Sequence, residues 1–177
     1  IMPAHIFGTR ETLQFDIAPK DPESFAMRQV DIHAAGTHVT ATDNGVYVPS
    51  FLFTLHRTLK SFRNPARFQP RADIFGDRGP VDIHRILADA PDPSPDPGDL
   101  PDLWAFLQFG DVTLRVLSFL IPTAHGVYLS CETPSPETPQ QPGIRVVEVS
   151  VDALARTMTQ AFEAVAAEYE GDKSSVS

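Results

Sequence analysis

The stretch QVDIHAAGTHVTATDNG, residues 29–45, predicts an antiparallel hairpin from which the rest of the fold can be worked out. Strand alternation places Val30 and Ile32 on one face of the first strand. The returning strand must bring Val39 and Ala41 to the same face, since a slip of one residue would turn every apolar side chain outward. The stretch therefore predicts two paired strands with a buried inner face.

The register of this hairpin follows from its loop. Only an even loop, of two or four residues around residues 35–36, keeps the apolar side chains together. In that register His33 lies directly opposite His38, and Asp31 lies opposite Thr40. Both pairs are expected on the outer face of the hairpin.

Two helices follow from apolar residues that recur at a period of 3.6. The first starts near Pro49, after a turn at residues 43–45, and Phe53 projects from its polar side near Arg57. Its apolar face carries Phe51, Leu52, Leu55, Leu59 and Phe62. The second is capped by Ser150. Its apolar stripe consists of Leu154, Met158, Ala161, Phe162, Val165 and Tyr169.

A second hairpin is predicted in LWAFLQFGDVTLRVLSFLI, residues 103–121. A two-residue turn at residues 110–111 suits glycine in its first position. This turn predicts three cross-strand pairs, which are Phe109 with Val112, Leu107 with Leu114 and Ala105 with Val116.

The order of elements predicts an α+β fold in a single domain over residues 1–177. Further strands are expected in ETLQFDIA, GVYLSCE and IRVVEVS, while VDIHRILAD fits either a short helix or a strand. We expect a largely antiparallel sheet of about six or seven strands, with two main helices packed on one face. Proline-rich loops are expected at residues 89–102 and 133–143, and a frayed tail at 170–177.

Charge and hydropathy limit the classes of partner. The 177 residues carry a formal net charge of -9, which weighs against binding nucleic acid or an anionic membrane surface. Residues 89–102, here called the acidic segment, contain no basic residue and five aspartates, Asp89, Asp92, Asp96, Asp99 and Asp102. No run reaches the 18 apolar residues of a membrane span. We expect a cytoplasmic protein in which Cys131 is a buried, inert thiol.

Sequence motifs for catalysis or cofactor binding are absent. The chain has no P-loop, G-x-G-x-x-G or H-E-x-x-H motif, and Ser130 does not lie in a G-x-S-x-G elbow. His33 and His38 could hold a metal ion only with a third ligand that the sequence does not identify. Asp82 and His84 would share a face if their segment were a strand. We therefore assign no catalytic residue, no metal ligand and no cofactor.

A family resemblance adds a functional expectation. The segments IFGTRETLQFDIAPKD, VDIHAAGTHVT and PSFLFTLHRTL resemble the start of immunity proteins of bacterial polymorphic toxin systems, especially the immunity protein 42 type, and RVVEVSVDALARTMTQAF resembles their end. Related uncharacterised actinobacterial proteins share this layout. The resemblance implies a non-enzymatic protein that binds and neutralises a cognate toxin, and it supplies no catalytic residues.

This expectation suggests where a partner would bind. A basic toxin would be attracted to the acidic segment, with Phe53 as an aromatic anchor. An outer-face or interface role is also open to His33 and His38. An exposed strand edge could pair with a second copy across a two-fold axis.

Two other classes of function stay open at this point. One is a structural or regulatory α+β protein without any link to a toxin. The other is an enzyme or small-ligand binder that uses either His33 with His38 or Asp82 with His84.

Overall fold

The computed structural model describes residues 2–89, 92–134 and 143–171. Within these ranges the chain forms two antiparallel sheets, five α-helices and two 3-10 helices, the latter at Pro65–Phe68 and Gly110–Thr113. The strands are β1 (His5–Gly8), β2 (Leu13–Ile17), β3 (Met27–Ala34), β4 (Thr37–His38), β5 (Gly45–Tyr47), β6 (Ala105–Phe106), β7 (Leu117–Thr123), β8 (Gly126–Thr133) and β9 (Gly143–Val149). The helices are α1 (Val48–Ser61), α2 (Ala72–Phe75), α3 (Pro80–Ala88), α4 (Leu100–Leu103) and α5 (Val151–Glu168).

The predicted α+β class is confirmed, but the expected single sheet of six or seven strands with two main helices is imprecise, because the described residues form two sheets and five α-helices. Sheet 1 has the order β1-β2-β3, and β4 and β5 both pair with β3. Sheet 2 has the order β6-β7-β8-β9. The sheets stay separate because the free side of β3 is occupied by β4 and β5, and the chain continues from β5 directly into α1.

The predicted register of the first hairpin is confirmed. His33 pairs with His38 and Ala34 with Thr37, and the two turn residues between them have φ values of 51° and 73°. Positive φ at both central positions is the geometry of a type I′ turn. Ala41 is exposed rather than buried, because pairing ends after His38 and the Thr40 hydroxyl accepts the Ile32 N–H at 3.1 Å.

The predicted pairing within residues 103–121 is wrong. Ala105 pairs with Phe119, three residues beyond the expected Val116. The tight turn is replaced by a longer connection that contains the second 3-10 helix, and Leu107 adopts a positive φ of 59°. The Thr113 hydroxyl accepts the Phe109 N–H at 3.0 Å, so this N–H is not available for a strand ladder.

Sheet 2 is covered on both faces. One face shares a main core with the inner face of sheet 1, α1 and α5, and this core includes Phe15, Leu52, Leu129 and Met158. The other face supports a second core formed with α2, α3 and α4, around Trp104. No helix in the described ranges combines the length and the apolar character needed to cross a bilayer.

Helix α5 packs on β1 and β2 and also contacts α1. The side chain of Ser150 accepts the Ala153 N–H at 3.2 Å, which confirms the predicted cap. Near the other end of α5, Glu168 accepts a hydrogen bond of 2.7 Å from His5. Buried Arg28 of β3 lies 3.5 Å from the same carboxylate. These contacts fix the last turn of α5 on sheet 1.

The predicted loops lie partly outside the described residues. The structure does not describe residues 90–91 of the predicted loop at 89–102, residues 135–142 of the predicted loop at 133–143, or residues 172–177 of the predicted tail. The loop predicted over residues 89–102 is interrupted at its end, because α4 begins at Leu100 with Pro101 in its first turn. Proline fits there because the first turn of a helix needs no N–H from it.

Gly8→Ala should lower the free energy of unfolding by about 2–5 kcal/mol, the sum of a positive-φ cost and overpacking. Gly8 has φ 87°. An added Cβ would overlap the Leu13 carbonyl oxygen and lie 2.8 Å from Thr157 Cγ2 of α5. The matched control is Gly79→Ala, where φ is -76° and the Cβ would meet no atom within 4 Å. Urea unfolding should show that the control loses less than about 1 kcal/mol of unfolding free energy. Equal unfolding midpoints for the two variants would contradict the prediction.

Candidate functional site

Residues 81–88 lie in α3, which settles the helix-or-strand alternative and separates Asp82 from His84. Asp82 lies 3.6 Å from Arg85 in an exposed pair one helical turn apart. His84 points in a different direction, into the second core beneath sheet 2. The Asp82–His84 pair considered from the sequence therefore does not form.

His84 is instead hydrogen-bonded to two residues of β8. Its Nδ1 lies 2.6 Å from Ser130 Oγ, and its Nε2 lies 2.9 Å from Glu132 Oε1. A carboxylate only accepts, so neutral His84 carries its proton on Nε2 and accepts at Nδ1 from the Ser130 hydroxyl. Burial lowers the pKa of His84, and the partly opposing effect of Glu132 does not reverse this direction. The group is a neutral histidine between a hydroxyl and a carboxylate.

Serine, histidine and a carboxylate are the residue types of a hydrolase triad, but they can act only on a substrate that reaches them. Ser130 and His84 both have 0% exposure. Ser130 lies in the middle of β8 and pairs with Phe119 on one side and Val146 on the other. A substrate carbonyl could reach Ser130 Oγ only if α3 left the sheet. In the folded protein these three side chains therefore fasten α3 to β8.

Cys131 lies between Ser130 and Glu132 on β8, and its side chain faces the main core. Burial raises the pKa of its thiol to about 11. At neutral pH the thiolate is therefore scarce. The predicted burial of this thiol is confirmed, and its inertness stays a prediction.

The outer face of sheet 1 brings His33 and His38 together. Their rings stack with centroids 4.6 Å apart. The side chain of His38 is 45% exposed and that of His33 only 12%, so only His38 is freely accessible. His33 Nε2 lies 3.6 Å from Asp16 Oδ2. Burial, His38 and Arg10 together lower the pKa of His33.

Asp31 organises the exposed side of this histidine pair. It accepts hydrogen bonds from His38 at 2.8 Å, Thr40 at 3.0 Å and Asn44 at 3.2 Å. Burial alone would raise the pKa of Asp31, but these hydrogen bonds outweigh it and lower the pKa. In the described ranges, no group of three or more histidine, cysteine or acidic side chains is placed to hold a metal ion.

The acidic segment is exposed and anchored at one end. All five of its aspartates are exposed, and none forms an ion pair with a described residue. Pro97 and Leu100 are buried and fix the segment against the rest of the chain. The segment therefore presents five exposed aspartates, of which Asp99 lies within electrostatic reach of Arg71 and Asp102 lines a cavity with Arg57.

Phe53 lies on the exposed side of α1, as predicted, and is 49% exposed. Its ring centroid is 5.6 Å from the Arg57 guanidinium carbon. Arg57 and Asp102 line the same cavity of about 330 Å³. His38 lines a different cavity, with Val39 and Arg115. Arg57 is therefore the link between Phe53 and the Asp102 end of the acidic segment, and the histidine pair lies at a separate cavity.

Comparison of the chain with protein-family models, curated proteins and solved structures found no match.

The stability should fall as the pH is lowered from about 7.5 to about 5, because burial lowers the pKa of His84 below its ordinary value of 6.5. Between the folded pKa and 6.5 the unfolded chain binds more protons. The contribution of His84 to stability is complete above about pH 6.5 and is lost as the pH falls toward the pKa of His84 in the folded protein. His33 acts in the same direction.

Urea unfolding at both pH values should show a weaker pH dependence in His84→Gln than in the wild type. Glutamine can still donate to Glu132 and accept from Ser130, but it does not titrate. His33→Gln is the matched comparison and should remove less of the pH dependence, since His33 is the less buried histidine. An unchanged pH dependence in His84→Gln would show that this histidine is not the titrating group.

Proposed function

We propose that the protein is a non-enzymatic protein-binding module that captures a basic partner, and that this partner is a cognate toxin neutralised in the cytoplasm. The observation that carries the proposal is the exposed acidic segment. Its aspartates lack ion-pair partners among the described residues, so a basic protein surface would gain new pairs without breaking existing ones.

Anchoring of the acidic segment also favours binding, through conformational entropy. A loop held by Pro97 and Leu100 loses less conformational entropy on binding than a free chain of the same length. Phe53 offers an exposed aromatic side chain beside Arg57, which lines a cavity together with Asp102 of the acidic segment. Aromatic residues are enriched among those that dominate binding energy. The resemblance to immunity proteins supports the choice of a toxin as the partner.

Binding is favoured over catalysis because the residues with hydrolase-like geometry are closed off. His84 and Ser130 are both completely buried beneath α3. The histidine pair on sheet 1 is engaged with Asp16 and Asp31. The exposed charges and the exposed phenylalanine are, by contrast, free to meet a macromolecule.

Neutralising three aspartates of the acidic segment should weaken capture of the partner. The test variant carries asparagine at Asp92, Asp96 and Asp99. The control removes the same number of exposed negative charges elsewhere, at Asp77, Asp111 and Glu163. Affinity capture from the native organism at low salt, with identification of the bound proteins by mass, should recover a basic protein with the wild type and the control. We expect about tenfold less with the test variant, as two or three lost charge pairs of a few tenths to 1 kcal/mol imply.

Capture that is insensitive to salt and equal for all three proteins would rule out an electrostatic docking surface. Capture of a basic protein that carries no toxic activity in the same cells would keep the docking surface and reject the immunity role.

Phe53→Ala should reduce capture of the same partner by about tenfold, which corresponds to a side chain worth about 1.4 kcal/mol. The thermal midpoint should stay nearly unchanged, because the side chain is half exposed. Phe25→Ala is the matched control, since Phe25 is also exposed but lies beside Tyr169, at the end of α5. Equal capture by both variants and the wild type would exclude Phe53 as an anchor.

A further inference from the structure

Arg67 is a buried cation without a carboxylate partner in the part of the chain that the structure describes. The residue is only 2% exposed. Its guanidinium donates to the backbone carbonyls of Leu120, Trp104 and Ala105, each at 3.3 Å. Burial lowers its pKa to about 10, so the side chain is still charged at neutral pH. Buried charges are normally paired, and the missing negative charge needs an explanation.

The side chain also has donors to spare. A guanidinium carries five N–H groups, and Arg67 makes three hydrogen bonds to described residues. Two N–H groups are therefore left without an acceptor in residues 2–89, 92–134 and 143–171. Arg67 lines the cavity of about 330 Å³ between α1 and β6, a volume at the lower end of the range for small-molecule sites.

A second arginine lines the same cavity. Arg57 of α1 is exposed, stacks on Phe53, and forms no ion pair with a described residue. Two of the hydroxyl protons nearby are already used, because Thr58 donates to the Thr54 carbonyl at 2.8 Å and Ser61 donates to the Thr58 carbonyl at 2.6 Å. Thr54, which carries a further hydroxyl, also lines the cavity. The cavity therefore offers an anion two guanidinium groups, and its hydroxyl oxygens can accept from other groups of the same ligand.

We propose that this cavity binds a small ligand through an oxyanion, a carboxylate or a phosphate, with Arg67 as the buried counter-charge and Arg57 at the rim. Guanidinium groups recognise both kinds of oxyanion through charge-assisted hydrogen bonds. Asp102 also lines the cavity and opposes an anion there, so a singly charged group is favoured over a multiply charged one. The cavity shares Asp102 with the acidic segment and Arg57 with Phe53, but its test uses small anions and needs no protein partner.

Calorimetric titration of the purified protein with sodium acetate and with inorganic phosphate tests the site, against sodium chloride at equal ionic strength. We expect saturable binding of at least one of the two anions. A response to acetate alone assigns a carboxylate ligand, and a response to phosphate alone assigns a phosphate ester. No saturable binding of either would mean that the three carbonyls and the Phe68 ring, 5.1 Å from the guanidinium carbon, are enough to stabilise the Arg67 charge, and the proposal would be wrong.

Three variants separate a site from general surface charge. Arg57→Gln should weaken binding about tenfold through the loss of one charge-assisted contact. Asp102→Asn should tighten binding, because it removes the opposing charge. Arg63→Gln is the matched control, since Arg63 is an exposed arginine that lines another cavity, and it should bind as the wild type does. Equal weakening by Arg57→Gln and Arg63→Gln would show only non-specific charge attraction.

Arg67→Lys completes the test at the buried position. It keeps the charge and loses part of the hydrogen-bonding geometry, so it should retain weak binding, whereas Arg67→Gln should abolish it. Circular dichroism establishes that each variant is folded. If Arg67→Gln does not fold, the opposite effects expected for Arg57→Gln and Asp102→Asn still decide the question.

Discussion

Strand β8 imposes the main constraint on this fold, because its two faces belong to two different cores. Leu129 and Cys131 point into the main core, and Ser130 and Glu132 point toward α3. A slip of one residue against β7 or β9 would place a serine and a glutamate in the main core and a leucine against His84. The register of β8 therefore determines whether α1 and α5 can pack in the main core while α3 and α4 pack in the second core.

The polar contact under α3 adds specificity to this arrangement. Apolar packing around Trp104 would allow α3 to rotate or slide, since dispersion contacts have little direction. Hydrogen bonds from His84 to both Ser130 and Glu132 fix one rotation and one position along β8. Leaving either partner unsatisfied in a buried place costs about 1–3 kcal/mol, so alternative placements of α3 are penalised.

Local patterns in the sequence predicted local structure well. The pairing of His33 with His38 followed from alternation and a two-residue turn, and α1 and α5 followed from periodicity and from Pro49 and Ser150. Features outside these patterns decided the rest. The hairpin predicted at residues 103–121 failed because a 3-10 helix replaces the tight turn and the Phe109 N–H is donated to the Thr113 hydroxyl.

The candidate sites show the same limit. The position of Ser130 and Glu132 two apart on one strand face was visible in the sequence, but the histidine that joins them comes from α3, in a segment whose pattern fitted helix and strand equally. The unpaired Arg67 also appears only in three dimensions, because an arginine beside Phe68 usually lies in solvent. Strand β1 was missed because four residues carry too little pattern.

The packing of α5 on sheet 1 has a consequence for synthesis. The inner face of this sheet, with Phe15, Ile17 and Ile32, is formed early in the chain, whereas α5 follows every strand. On the ribosome these strands emerge first and must wait for the helix that shields them from water. During that interval the nascent chain exposes an apolar sheet of the kind that chaperones bind and that aggregates when translation stalls.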